Sequence, residues 1–86
     1  MGRENKICFT DSQGDVLFTI PDGGMIKLVY GNGDENYAIC RYQDNNHAEI
    51  DGVLYALTDF AKRMERNGIS YAAAKTGNKI MKDKEV

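Results

Sequence analysis

The sequence predicts an α+β fold: an antiparallel β-meander of four to six strands packed on one amphipathic helix in the C-terminal half. Three observations predict it. Short β-branched and aromatic runs recur through the first fifty residues, separated by turns rich in Gly, Asp and Asn. The links between these runs are too short for crossover connections, so successive strands run antiparallel. A single helix-spaced apolar stripe then follows, and it ends at Asn67-Gly68.

The elements follow in order. Lys6-Ile7-Cys8-Phe9-Thr10 reads as a strand, and Val16 to Ile20 as its hairpin partner across the turn Asp11–Asp15. Pro21-Asp22-Gly23-Gly24 stops the second strand, because proline presets a turn and two glycines follow. Met25 to Tyr30 is the third strand, and Asn32-Gly33 signals the next hairpin. Asn36 to Gln43 is the fourth. Its alternation sets Tyr37, Ile39 and Arg41 on one face and Ala38, Cys40 and Tyr42 on the other.

Residues 51–56 admit two readings. Asp51-Gly52 suits a tight hairpin turn between Ala48-Glu49-Ile50 and Val53-Leu54-Tyr55, with the helix starting near Ala56 or Leu57. Alternatively Asp51 caps a longer helix, whose stripe is Val53, Leu57, Phe60, Ala61 and Met64. The hairpin is favoured, since Asp-Gly opens a helix poorly. In both readings Lys62, Arg63 and Arg66 crowd the last turns and Gly68 supplies the terminating glycine. Ile69 to Ala73 reads as a final edge strand. One domain is expected over residues 1–74 and a flexible tail over 75–86, which has little apolar content beyond Ile80 and Met81.

Composition bounds the function. The chain has 86 residues with 42% hydrophobic and 28% charged, an ordinary globular mixture with room for one modest core. Its formal net charge is -2, which excludes a polybasic protein that grips phosphate backbone by bulk charge. The charge divides unevenly. Residues 1–50 hold four basic and eight acidic side chains, whereas residues 51–86 hold seven and five. No apolar run is long enough for a signal peptide or a membrane span, and Cys8 and Cys40 are too few for a disulfide scaffold. A cytoplasmic protein with reduced thiols is expected. A Cys8–Cys40 disulfide would require neighbouring strands.

The chemical motifs are weak. Gly31-Asn32-Gly33 lacks the third glycine and the following helix of a nucleotide loop. The Asp-rich turns at 11–15 and 44–46 lack a calcium-binding frame. Cys8, Cys40 and His47 are too few for zinc, and no metal site or cofactor is expected. Cys40 and His47 flank one turn, so a thiol–imidazole pair is the enzymatic reading to test, although no catalytic residue is assigned. Tyr30, Tyr37 and Tyr42, with Lys27 and Arg41, offer a speculative base-stacking face. Lys62, Arg63 and Arg66 form a basic helix face for an acidic protein partner or, alternatively, a nucleic acid. A free strand edge would allow homodimerisation.

The stretch Ile50-Asp51-Gly52-Val53-Leu54-Tyr55-Ala56-Leu57-Thr58-Asp59-Phe60-Ala61-Lys62-Arg63-Met64-Glu65-Arg66-Asn67-Gly68 resembles a segment of small accessory proteins of integrative conjugative elements in Gram-positive gut bacteria. The resemblance covers less than a quarter of the chain. It implies a genomic setting on a mobile element and carries no catalytic residues. The expectation that follows is a non-enzymatic binding module.

Overall fold

A computed structural model of the chain describes residues 5–74; the tail expected over 75–86 lies outside the described residues. The elements are β1 (Lys6–Thr10), β2 (Val16–Pro21), β3 (Met25–Val29), β4 (Glu35–Asp44), β5 (His47–Ile50), β6 (Val53–Ala56), α1 (Leu57–Asn67) and β7 (Ser70–Ala73). Five strands form one sheet in the order β6-β5-β4-β3-β7, and β1 and β2 form a separate ribbon. Every pairing is antiparallel. The α+β class is as the sequence predicts. The strands among the described residues exceed the expected four to six, because the Asp51-Gly52 hairpin and the final edge strand both form.

Local chemistry explains the turns. Asp51 and Gly52 take φ of 55° and 84°, the two left-handed positions of a tight hairpin, and Ile50 pairs with Val53 across them. This resolves the ambiguity at 51–56 in favour of the short helix. At the other end of α1, Gly68 sits at φ 70° and ψ 30°. Its N–H donates to the Glu65 carbonyl, and the Ile69 N–H donates to the Met64 carbonyl at 2.9 Å. Together they close the helix as a Schellman motif. The helix start has no side-chain cap. The Leu57 N–H is instead satisfied by the Asn46 carbonyl at 2.8 Å.

The meander breaks at one point. β2 does not pair with β3, although only a tight turn separates them. Gly23 donates its N–H to the Cys40 carbonyl, and Cys40 donates back to the Gly24 carbonyl, both at 2.8 Å. Asp22 Oδ1 accepts the Tyr42 N–H at 2.9 Å. The link therefore runs beside β4, and the ribbon departs from the sheet there. The turn is tight at Gly24, where a Cβ would lie 3.0 Å from the Pro21 carbonyl oxygen and 3.4 Å from the Ile20 Cβ, so a side chain there would press on β2.

The core is built from alternate strand residues and one helix stripe. Ile7, Phe9, Ile20, Ile26, Ala38, Cys40, Ala48 and Ile50 meet Leu57, Phe60 and Met64. Ala38 and Cys40 point in while Tyr37, Ile39 and Arg41 are exposed, as the alternation of β4 requires. Phe9 ties the layers together. It stacks on Phe18 at 5.1 Å and meets Phe60 edge-on at 5.9 Å. Tyr71 of β7 packs on Phe60 at 5.4 Å, and its hydroxyl donates to the Thr10 carbonyl at 2.8 Å. Burial raises the Tyr71 phenol above its ordinary pKa, with smaller contributions from Glu65 and Asp11. Cys8 and Cys40 are free thiols. Among the described residues, no helix is long and apolar enough to cross a membrane.

Candidate partner-binding face

Helical periodicity divides α1 into two faces. Leu57, Phe60, Ala61 and Met64 are buried. Asp59, Lys62, Arg63 and Arg66 follow at i, i+3, i+4 and i+7, so they share the opposite, exposed face. With Tyr55 from the neighbouring β6 they line an open cleft of about 270 Å³. The Tyr55 ring is held edge-on to Phe60, centroids 5.3 Å apart, which anchors one wall of the cleft to the core. The three cations predicted from the sequence are thus brought together. Asp59 lies in the first turn and Arg66 in the last, both where the helix dipole favours them.

What separates these cations from the others is pairing. Lys27 Nζ lies 3.8 Å from Glu35, and Arg41 Nε lies 3.8 Å from Asp22 Oδ1. Among the described residues, Lys62, Arg63 and Arg66 form no ion pair. The cleft therefore presents three cations against one carboxylate. Two guanidinium forks and an ammonium on one helix face can hold carboxylates by charge-assisted hydrogen bonds.

The speculative stacking face is not assembled in one place. Tyr37 is 52% exposed on the outer side of β4. Tyr42 turns inward, packs against the core and donates its hydroxyl to Asn45 Oδ1 at 3.2 Å. Tyr30 is half-buried past the end of β3. The two cations meant to flank them are the ones already ion-paired.

The thiol–imidazole pair is not assembled either. Cys40 is fully buried, opposite Ile50, with its thiol directed at the Ala38 carbonyl. Burial pushes that thiol up to about 11. His47 lies opposite Asp44 at the far end of the hairpin, its Nδ1 2.8 Å from Asp44 Oδ1. That hydrogen bond is the main reason the Asp44 carboxyl sits below its ordinary pKa. Among the described residues, no three His, Cys, Asp or Glu side chains gather to hold a metal.

A second cavity, of about 200 Å³, lies at the start of α1 between Thr10, Gly14, Asn45, Asn46 and residues 56–58. Among the described residues, the buried Thr10 hydroxyl oxygen has no hydrogen-bond partner. Asp59 in the same first turn opposes an anion at this helix start.

Sequence reading missed Tyr55 as a cleft residue. Its place on β6 opposite buried Ala48 is the available signal, since alternation turns it toward the core side once the hairpin is chosen. Comparison with family models, with curated proteins and with solved structures returns no match to this chain.

Proposed function

We propose that this chain is a small binding module that acts by protein–protein contact, with the basic face of α1 as the contact and no chemistry of its own. The observation that carries the reading is the trio Lys62, Arg63 and Arg66, gathered on one cleft and, among the described residues, without ion pairs. Exposed cations of a folded domain are ordinarily solvated, but here the flanking Tyr55 wall adds an aromatic surface of the kind enriched at interfaces. The resemblance of residues 50–68 to conjugative-element accessory proteins spans β6 and all of α1, and it supports reading the module as a cytoplasmic accessory of a mobile element.

Nucleic acid is the alternative partner, reached through the same three cations. The overall charge of -2 works against it, because the side chains other than these three cations are net acidic. The test compares the wild-type chain with Lys62→Glu, Arg63→Glu and Arg66→Glu combined. Proteins cross-linked to the wild type from cells carrying the gene are purified and their affinity measured against both forms. A partner whose affinity collapses on charge reversal supports the reading. An unchanged partner set overturns it, and filter binding of duplex or single-stranded DNA at about 50 mM salt, falling steeply as salt rises, would replace it with the nucleic-acid reading.

A further inference from the structure

We infer that the partner is an acidic segment bound in extended form, adding a strand to the outer edge of β6 so that its carboxylates reach Lys62, Arg63 and Arg66. This rests on the basic-face reading above and specifies how that face is engaged.

The edge itself supplies the first argument. Among the described residues β6 is the last strand of the five-stranded sheet, and no strand pairs with its outer side. Exposed edges are ordinarily blunted by charge, proline or a bulge. β6 is Val53-Leu54-Tyr55-Ala56, with none of these, and its register with β5 runs without a break. Val53 and Leu54 are 53% and 55% exposed. Ile50 and Val53 close the two-residue turn as a hydrogen-bonded pair, so alternation aims the N–H and carbonyl of Leu54 away from β5. They form a ready docking point for one extended backbone.

Charge decides the occupant. Tyr55 stands on β6 and also walls the cation cleft, so edge and cleft are contiguous. A strand added to β6 places alternate side chains on the helix side of the sheet, next to the cleft. Acidic residues at those positions complement three cations facing one carboxylate. A second copy fits worse. Antiparallel pairing of two β6 edges about a two-fold axis keeps both helices on the same side of the joined sheet. It would bring the two cation clusters toward each other across the seam, where like charges oppose association.

The experiment titrates the full chain with the blocked peptide Glu-Val-Glu-Val-Thr-Val-Glu, and separately with a copy in which each Glu is Lys. Amide exchange at Leu54 and chemical shifts along α1 are followed by NMR. The expected result is slowed exchange of the Leu54 N–H, shifts at Lys62 to Arg66, and binding that weakens with salt. The Lys peptide should bind at least roughly tenfold more weakly, and Arg63→Glu with Arg66→Glu should cost a similar factor for the Glu peptide. Leu54→Pro should abolish binding with the fold intact by circular dichroism, since that N–H serves no bond within the sheet. Should that variant unfold, the Arg63→Glu/Arg66→Glu pair carries the test. Shifts on α1 without protection at Leu54 would overturn strand addition and leave the basic-face reading standing. Equal binding of both peptides would overturn both. Leu54 protection that grows with protein concentration in the absence of peptide would overturn the acidic partner in favour of self-pairing.

Discussion

The two faces of α1 share eleven residues and one set of backbone bonds, yet they follow opposite rules. The inner face is fixed by neighbours. Phe60 meets Phe9, Tyr55 and Tyr71 within 6 Å, and Met64 and Leu57 close the layer. The outer face has cations with no ion pair among the described residues. Burial makes every atom of the first face answer to the fold, whereas exposure frees the second for a contact the fold does not need. If the outer face is the proposed contact, stability and partner binding are separable on this helix, and substitutions on each face should report on one and spare the other.

The largest effect is expected from Phe60→Ala. It removes a ring that touches three other aromatic side chains at 2% exposure, and such truncations cost about 3–5 kcal/mol. A domain of this size has a total stability of only about 5–15 kcal/mol, so thermal or urea unfolding should show a large loss. A small shift in the midpoint would break the comparison, because it would mean that the inner face is not what holds α1.

A smaller loss is expected from Gly68→Ala, which forces a Cβ into the left-handed conformation at the helix end, at a cost of about 1–2 kcal/mol. Among the described residues, no atom beyond the adjoining chain lies within 4 Å of the added Cβ, so the effect is conformational and not steric. Gly68→Asn should recover part of it, since Asn tolerates that region better than Ala. Equal urea midpoints for the Ala and Asn variants would argue against the assignment.

The inner layer also predicts a pH dependence. In the unfolded chain Cys40 ionises near the usual thiol value of about 8.5. In the folded chain burial raises it to about 11. The folded state thus holds its proton longer, and the stabilisation is complete below the unfolded value. It is lost as pH climbs from there through about 11. Thermal melts between pH 8 and 11 should fall, and Cys40→Ala should flatten that slope. A slope unchanged in the variant would assign the loss to other groups, such as the raised Tyr71 phenol.

Much of this division was legible in the sequence. The stripe Leu57, Phe60, Ala61, Met64 and the cations at 62, 63 and 66 are periodic, and periodicity depends only on local geometry. At Asp51-Gly52 the sequence favours the hairpin without deciding it, because the same residues satisfy a helix cap or a turn. Only the pairing of Ile50 with Val53 decides between them. The separation of β2 from β3 was not legible, since it depends on Gly23 and Gly24 bonding to Cys40, sixteen residues and more along the chain. The ion pairs of Lys27 and Arg41 depend on Glu35 and Asp22, brought close by folding, and so the sheet looked more available to a partner than it is.

The smallest effect on stability, and the sharpest test of the comparison, is expected from Arg63→Ala. Arg63 is exposed, forms no ion pair among the described residues, and stands in the middle of the outer face. Surface substitutions of this kind usually change stability by no more than about 0.5 kcal/mol. Removing the cation also removes repulsion from Lys62 and Arg66 on the same face, so the midpoint should move slightly upward or not at all. Affinity for an acidic partner should fall over the same change, because the guanidinium is one of three charges that meet it. The two measurements must diverge for the outer face to be a contact surface. If urea unfolding and partner binding decline together, Arg63 is serving the fold, and the face it occupies belongs with the inner one.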